Sequence, residues 1–290
     1  MLTASEFQTL CSRGPILLDG ATGSNLQKAG MPRGCCTETW VLEHPDVLLR
    51  LQEQYVQAGS RILYAPTFQA QPIALAKQGL QDQTEAINAK LVQLSRSVAS
   101  DVLVAGDLTT LAAFLDSFDE RNFDILVENY RRQIRGLIDG GADLLIAETL
   151  MYAEEAEAIA TAAELEGASC CMYSFVMQSD GSLFSGRDAG PILKSLADAG
   201  AAAAGFNCVA ADAMTPGLVS LLRRHIRIPL LCKPNAGVPV IGSDGLAHYS
   251  MAPEEFADIA LQCHRMGAGL LGGCCGTDPE FLAALRSALM

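Results

Sequence analysis

The stretch Gly140-Gly141-Ala142-Asp143-Leu144-Leu145-Ile146-Ala147-Glu148 carries the pattern that predicts the fold of this 290-residue chain. Its two glycines follow an amphipathic segment over residues 122–138, and glycine is the usual residue just beyond a helix end. The apolar run that comes next has the length of a strand and no polar alternation, which is typical of a parallel strand buried on both faces. A carboxylate, Glu148, ends that run. The stretch therefore predicts a helix, a buried strand, and a polar residue where the strand ends.

The same unit recurs along the chain. The predicted strands are 16–18, 62–64, 102–104, 144–146, 170–173, 203–206, 229–231 and 269–271, and amphipathic stretches between them include 47–58, 83–98, 122–138 and 253–266. Strands that alternate with helices pair in parallel, and eight such units without a composition break favour a closed α/β barrel. We therefore predict a single (β/α)8 TIM barrel that forms one domain over residues 1–290. An open doubly wound sheet is the alternative, but no G-x-G-x-x-G follows the first strand.

Composition narrows the class of partner. Half of the residues are hydrophobic and 18% are charged, which favours a large core over disorder. The formal net charge of -13 argues against a nucleic-acid partner, because phosphate binding needs clustered Lys and Arg. No uninterrupted apolar run of about 18 residues is present, and the N-terminus lacks a signal-peptide pattern. Ten cysteines without an export signal are typical of free thiols. We expect a cytoplasmic protein that binds neither nucleic acid nor membrane.

Polar and sulfur-bearing side chains occur where the predicted strands end. Functional residues of a (β/α)8 barrel lie at the carboxyl ends of its strands. The residues at these positions are Asp19, Thr67, Asp107, Glu148, Cys208, Asn235, Cys274 and Cys275. The sequence therefore predicts a functional site at this end of the barrel.

Two cysteine motifs indicate a metal site. Gly272-Gly273-Cys274-Cys275-Gly276-Thr277 ends the last predicted strand, and Gly205-Phe206-Asn207-Cys208 ends the sixth. Successive side chains of a regular strand point to opposite faces, so neighbouring sulfurs reach one ion only where the strand ends or kinks, as glycine allows. Three thiolates with an open fourth position are typical of catalytic zinc. The alternatives are three buried free thiols, or a structural zinc that Cys232 closes as a fourth ligand.

The other cysteines and the histidines have less specific patterns. Cys11 and Cys263 lie on helical stretches, Cys170 and Cys171 begin a predicted strand, and all four are expected to pack in the core. Cys35 and Cys36 lie in a loop after the first strand, and no role is predicted for them. The four histidines, His44, His225, His248 and His264, are isolated and have no metal-ligand spacing. These residues are not predicted to take part in the site.

Two carboxylates at the barrel mouth suggest an amino-acid ligand. Asp19 opens Asp19-Gly20-Ala21-Thr22-Gly23, and Glu148 ends the fourth predicted strand. Two acids suit an ammonium group, and glycine-flanked backbone N–H groups suit a carboxylate. The alternatives are that Asp19 is a turn or cap residue and that Glu148 is the buried partner of a lysine or arginine.

Together these motifs resemble the homocysteine S-methyltransferase family, which includes the homocysteine-binding module of cobalamin-dependent methionine synthase. The resemblance covers nearly the whole chain, through residues 17–24, 58–60, 66–68, 147–149, 205–208, 234–237 and 272–277. It implies a zinc-binding barrel with one Zn²⁺ per chain and the ligands Cys208, Cys274 and Cys275. It also implies that homocysteine contacts Asp19, Gly20, Thr67, Phe68, Glu148 and Asn235.

The implied activity is transfer of a methyl group to the thiol of homocysteine, giving methionine, by a methyltransferase of the EC 2.1.1 class. The departures from the family pattern lie on the donor side. Ala105-Gly106-Asp107-Leu108-Thr109 replaces a Gly-Ser-x-Gly-Pro turn, and Gln69 stands where the betaine-dependent enzyme has tyrosine, which disfavours betaine. No Asp-x-His-x-x-Gly cobalamin signature occurs, and the chain ends soon after the double cysteine.

The methyl donor is therefore predicted to be a small methylated compound or a methyl-corrinoid protein, with cobalamin involved only if a separate protein supplies it. The chain is either a free-standing enzyme or a module of a longer protein. Two alternatives stay open: the same zinc–thiolate chemistry on another thiol or selenol, and a non-catalytic barrel whose zinc is structural.

Overall fold

Eight parallel strands form the centre of the computed structural model, which describes residues 1–115, 120–242 and 247–290. The strands in chain order are β1 (Ile16–Leu17), β2 (Ile62–Tyr64), β3 (Leu103–Thr109), β4 (Leu144–Leu150), β5 (Cys171–Phe175), β6 (Ala203–Ala210), β7 (Leu230–Asn235), β8 (Val240–Ile241), β9 (Ala247–His248) and β10 (Ala268–Leu271). The parallel sheet has the order β1-β10-β7-β6-β5-β4-β3-β2, and β8 and β9 pair separately as an antiparallel hairpin. A parallel bridge between Leu18 and Ile62 joins the two sheet edges and nearly closes the barrel. The predicted (β/α)8 barrel is confirmed.

Helices surround the barrel. They are α1 (Ala4–Cys11), α2 (Gly23–Lys28), α3 (Thr37–Glu43), α4 (Pro45–Ala58), α5 (Pro72–Leu75), α6 (Thr84–Arg96), α7 (Glu120–Asp139), α8 (Ala153–Leu165), α9 (Ala189–Asp198), α10 (Thr215–Arg223), α11 (Pro253–Arg265) and α12 (Pro279–Leu289). The amphipathic stretches predicted from sequence correspond to α4, α6, α7 and α11 within three residues at each end. In the described ranges, no helix has both the length and the apolar character that a membrane span requires.

The strand pleat divides the core into two layers. Leu18, Ile146 and Leu231 belong to an inner cluster that fills the barrel, while Leu145 and Leu230 belong to an outer cluster between the strands and the helices. This division follows because successive side chains of a strand point to opposite faces. The inner row of each strand therefore continues, at its carboxyl end, into the mouth of the barrel; Asp107 on β3 and Glu148 on β4 occupy inner positions there, in phase with Ala105 and Ile146.

A short N-terminal helix closes the opposite end of the barrel. A capping box begins α1: the Thr3 side chain accepts from the Glu6 N–H, and the Glu6 carboxylate accepts from the Thr3 N–H at 2.8 Å. Phe7 is fully buried in the inner cluster. The Leu2 N–H donates to the Asp143 carbonyl at 2.7 Å, and the Gln8 amide donates to the Ala201 carbonyl at 3.3 Å. Both carbonyls precede strands, so α1 covers the amino end of the barrel. The sequence analysis placed Cys11 on a helical stretch but gave no bounds for this helix.

Candidate active site and metal centre

The three predicted cysteines lie together at the carboxyl end of the barrel. Cys208 lies near the end of β6, and Cys274 and Cys275 follow β10. The Cys208 sulfur lies 2.9 Å from that of Cys274 and 3.9 Å from that of Cys275. All three sulfurs fall within 4.8 Å of one another, so the described chain contains a compact three-sulfur group.

Backbone strain turns Cys208 towards this group. Its φ is 55°, and within the described ranges Thr149 is the one other non-glycine residue with positive φ, at 62°. The pairing of β6 with β7 shifts register between Asn207 and Ala210, which interrupts the regular alternation at Cys208. Such a backbone conformation costs about 1–3 kcal/mol at a non-glycine residue and commonly marks a functional position.

The Asn207 side chain holds the strained residue Thr149 and reaches the cysteine group. Its amide oxygen accepts from the Thr149 N–H at 2.9 Å and from the Ser174 hydroxyl at 2.7 Å. Its amide nitrogen donates to the Thr149 hydroxyl at 2.8 Å and lies 3.9 Å from the Cys274 sulfur. Asn207 therefore links β4, β5 and the cysteine group, a role for which the sequence offered only its position beside Cys208.

Two glycines beside the cysteine pair are required by close contacts. A Cβ at Gly273 would collide with the Thr277 side chain, whose hydroxyl donates to the Cys274 carbonyl at 2.8 Å. Gly276 has φ 83°, and a Cβ there would collide with the Tyr249 ring. The strand therefore turns sharply after β10, and this turn lets neighbouring cysteines share one site, as the sequence predicted.

The cysteine group favours a thiolate. Hydrogen bonds from the Cys208 and Cys274 thiols, with a further one from Tyr249, lower the pKa of Cys275 to about 3. The same contacts raise the pKa of Cys208. A thiolate held by neighbouring thiols is a ligand set of the kind that thiophilic metals take.

The alternative in which Cys232 closes the group as a fourth ligand does not agree with the structure. Cys232 is buried in the outer cluster, and its thiol interacts with that of Cys263. It therefore lies on the face of β7 opposite to the barrel interior and outside the three-sulfur group.

A buried lysine that the sequence analysis did not single out organises the acids of the site. The Lys233 ammonium lies 3.2 Å from Asp19 Oδ1, 3.9 Å from Glu148 Oε2, and 4.2 Å from the centre of the Tyr64 ring. Burial lowers the pKa of Lys233, but attraction to Asp19 and Glu148 exceeds that effect and raises the pKa well above its usual value. The proposal that Glu148 partners a buried lysine, one of the two alternatives at that position, agrees with this contact. The sequence could have indicated that Lys233 faces the barrel interior, because it lies two residues after Leu231 and therefore on the same strand face.

Asp107, on β3, adds a third carboxylate. Its backbone N–H and carbonyl both bond the Thr67 hydroxyl, at 3.0 and 2.8 Å. Its side chain is buried, and Oδ1 has no hydrogen-bond partner. Burial, followed by repulsion from Glu148, raises the pKa of Asp107 well above its usual value. Burial likewise raises the pKa of Glu148, to about 7.

A cavity of about 410 Å³ joins these groups. Its walls are Gly20, Ala21, Thr22, Gly23, Ser24, Thr37, Glu38, Tyr64, Ala65, Pro66, Phe68, Gln69, Asp107, Glu148, Thr149, Cys208, Lys233, Cys274 and Cys275. Of the predicted substrate contacts, Gly20, Phe68 and Glu148 line the cavity, whereas Asp19, Thr67 and Asn235 are not among the lining residues. Asn235 Oδ1 is buried without a partner.

The loop containing Cys35 and Cys36 contributes to the cavity through a neighbouring acid. The Cys36 thiol donates to Glu38 Oε2 at 3.2 Å, and the Gln69 N–H donates to Glu38 Oε1 at 2.7 Å. Glu38 is buried and links this loop to the segment after β2. Cys36 thus helps to hold a cavity wall, while the Cys35 thiol donates to the Pro32 carbonyl at 3.0 Å.

Fold and site together define a barrel enzyme whose mouth carries a three-cysteine group beside a buried cluster of acids. The sequence profile of the homocysteine S-methyltransferase family matches residues 16–289, and the chain belongs to that family. The resemblance found in the sequence is thereby confirmed.

Similar proteins agree with this assignment. The homocysteine S-methyltransferase of Escherichia coli is 30% identical over 297 residues, which cover 94% of each chain. The methionine synthase of Mycobacterium tuberculosis is 28% identical over 304 residues, which cover 98% of this chain but 25% of that protein. This chain therefore spans about a quarter of the mycobacterial methionine synthases that it matches. The structure is similar to the metallated form of the homocysteine methyltransferase MmuM of Escherichia coli, with a TM-score of 0.82 and 28% identity over 96% of this chain and 98% of that one.

Proposed function

We propose that Cys208, Cys274 and Cys275 hold one Zn²⁺ and that the chain transfers a methyl group to the thiol of homocysteine, giving methionine. The observation that carries this proposal is that the three sulfurs and the acid–lysine cluster open into one cavity. The similar Escherichia coli proteins are a homocysteine S-methyltransferase and a homocysteine methyltransferase solved in a metallated form. These similarities support homocysteine as the methyl acceptor and a metal ion as part of the site.

The three sulfur ligands suit a zinc ion. Two sulfurs that are each about 2.3 Å from a tetrahedral zinc ion lie about 3.8 Å apart. The Cys208–Cys275 separation of 3.9 Å matches this spacing, and the Cys208–Cys274 separation of 2.9 Å would widen on binding. Three protein ligands leave one position for an exchangeable group, which is the arrangement of catalytic zinc.

Side chains and backbone groups of this chain bind the acceptor and shield the reaction from water. Zinc held at this position supplies Lewis-acid chemistry that lowers the pKa of an incoming thiol. The acid cluster that includes Glu148 attracts the ammonium of the acceptor, and backbone N–H groups near Gly20 receive its carboxylate. Tyr64 and Phe68 cover the cavity wall and exclude water. Holding acceptor and donor in line converts a bimolecular step into an effectively unimolecular one.

The donor that we propose is a small methylated compound or a methyl-corrinoid carried by a separate protein. The cavity volume of about 410 Å³ lies within the usual range for small-ligand sites. Turnover of homocysteine with a sulfonium donor such as S-methylmethionine, set against turnover with methylcobalamin, separates the two donor classes.

The acceptor and metal are tested by zinc-edge X-ray absorption on the reduced, zinc-loaded protein, without and with homocysteine. We expect three sulfur ligands to become four when homocysteine is added. Four sulfurs in both samples, with loss of the fold on chelation, would instead make the zinc structural and refute the proposed catalysis.

A pair of cysteine variants tests the ligands. Cys275→Ser is expected to abolish both zinc retention and methionine formation, because it removes one of three ligands. Cys35→Ser is the matched control, since its sulfur bonds only the Pro32 carbonyl and lies outside the three-sulfur group. Methionine formation by a zinc-free Cys275→Ser variant would contradict the proposal.

A further inference from the structure

The three sulfurs of the cysteine group differ in the hydrogen bonds that they accept. The Asn207 amide donates to the Cys274 sulfur at 3.9 Å, and the Tyr249 hydroxyl donates to the Cys275 sulfur. The Cys208 sulfur contacts the other two sulfurs, at 2.9 and 3.9 Å, and within the described ranges it has no other hydrogen-bond partner. Two of the sulfurs therefore have a donor from outside the group, and the third does not.

Tyr249 is held against the cysteine turn by packing. It follows β9, the second strand of the antiparallel hairpin that comes after β7. Its ring lies so close to Gly276, the residue after Cys275, that a Cβ at Gly276 would collide with the ring. The Ala236 N–H, directly after β7, donates to the Cys275 carbonyl at 3.0 Å and also holds this turn. The segment after β7 thus brings one phenol to one of the three sulfurs.

A hydrogen bond to a metal-bound sulfur lowers the nucleophilicity of that sulfur. The hydrogen-bond donor withdraws electron density from the sulfur, and hydrogen bonds of this kind tune the properties of metal–thiolate sites. All three cysteines line the cavity that would receive the acceptor thiol and the methyl donor. Attack on the methyl group by a ligand sulfur would therefore compete with attack by the acceptor.

We propose that Tyr249 is a positioning residue that protects Cys275 from methylation, so that the methyl group passes to the acceptor thiol and not to this ligand. This inference rests on the proposed function. In the side reaction that the hydrogen bond suppresses, the Cys275 sulfur forms a bond to the methyl carbon. The bond from that carbon to the leaving group of the donor breaks, and the leaving group keeps the electron pair. The product is an uncharged thioether, which no longer offers the thiolate that a zinc ligand requires.

The test measures which cysteine of the zinc-loaded, reduced chain becomes methylated. Methyl iodide is the probe, because it is small and needs no donor site, and tandem mass spectrometry of peptides gives the rate at each cysteine. Cys208 and Cys275 are both partly exposed and both line the cavity, so their rates can be compared. In the wild type we expect Cys208 to be methylated about tenfold faster than Cys275, because only Cys275 is stabilised by a hydrogen bond to its charged sulfur from outside the group.

Tyr249→Phe keeps the ring against Gly276 and removes the hydroxyl. This variant is expected to raise the rate at Cys275 by about tenfold and to leave the rates at Cys208 and Cys274 within about twofold of the wild type. If Tyr249 served only to pack against the turn, all three rates would stay unchanged.

A second tyrosine provides the matched control. The Tyr130 hydroxyl donates to the Thr109 carbonyl at 3.0 Å, and Tyr130 neither lines the cavity nor contacts the cysteine group. Tyr130→Phe is expected to keep the wild-type rate at each of the three cysteines.

The outcomes separate this inference from the proposed function. Unchanged methylation of Cys275 in a zinc-loaded Tyr249→Phe variant overturns the protective role while the proposed function stands. If Tyr249→Phe does not retain zinc, the wild-type rates decide: methylation of Cys275 at least as fast as that of Cys208 overturns the protective role, and slower methylation supports it. A wild-type chain that does not retain zinc overturns the proposed function as well.

Discussion

Replacement of Lys233 by methionine is expected to destabilise the fold by about 3–5 kcal/mol, because it leaves the Asp19 carboxylate charged and buried without its partner. The exposed fractions of the two side chains are 4% and 1%, so solvent screens the pair little. At 3.2 Å and an effective dielectric constant of about 20, the attraction is about 5 kcal/mol, and the desolvation of both ions opposes it. Lys233 also lies over the Tyr64 ring, which the methionine would contact without the charge.

The assay is urea denaturation of the reduced, metal-free chain at neutral pH, followed by circular dichroism. The double variant Asp19→Asn/Lys233→Met should be more stable than the sum of the single changes predicts, by about 1–3 kcal/mol, because it leaves no unpaired charge. Lys194→Met is the control: its ion pair with Asp198 is shorter, at 2.6 Å, but more than half of each side chain is exposed, and the expected change is below about 1 kcal/mol. A Lys233→Met variant within 1 kcal/mol of the wild type, or strictly additive changes, would refute this account of the buried pair.

Burial and backbone geometry lead to four further predictions. Because burial raises the pKa of Glu148 to about 7, its carboxylate ionises as pH rises through 7. Homocysteine affinity, measured by calorimetric titration, should therefore rise between pH 6 and 8. The Glu148→Gln variant should not show that rise. The same raised pKa means that folding stability falls as pH rises from about 4.5 to 7, which urea titration of both proteins can check. Gly276→Ala should lose zinc affinity and about 1–3 kcal/mol of stability, because Gly276 has a positive φ and a Cβ there would collide with Tyr249. Gly186→Ala is the control: Gly186 has φ 80° and no atom near its Cβ, so this variant should lose stability alone. Equal zinc affinity in the two variants would contradict this prediction. Phe7→Ala should cost about 3–5 kcal/mol by emptying the amino end of the barrel, with homocysteine affinity retained.

The elements of the barrel were predictable because they depend on local patterns. Short apolar runs between glycine-ended amphipathic segments identified all eight barrel strands, and the predicted helix bounds agree within three residues. The N-terminal helix was indicated only by the placement of Cys11 on a helical stretch, and its bounds were not predicted. It has eight residues. Its place depends on Phe7 packing in the barrel interior and on hydrogen bonds from Leu2 and Gln8 to the distant carbonyls of Asp143 and Ala201.

The three cysteines of the site could also be placed from sequence. Parallel strands bring their carboxyl ends to one edge, so Cys208, Cys274 and Cys275 were expected to meet once the barrel was assigned. Glycine beside the double cysteine indicated the turn that the backbone makes there. The ligand role itself stays a prediction, as does the identity of the metal.

The sequence by itself determined the order of the elements, the end of the barrel that carries the site, and the kinds of side chain that reach it, since each of these follows from periodicity along a single strand or helix. Only the tertiary structure decided which charges pair. Lys233 and Asp19 are 214 positions apart in the chain, and their 3.2 Å contact depends on the tilt and register with which β1, β10 and β7 close the barrel. For that reason Asp19 forms an ion pair with Lys233 and is not among the residues that line the cavity, while Asp107 and Glu148 line it.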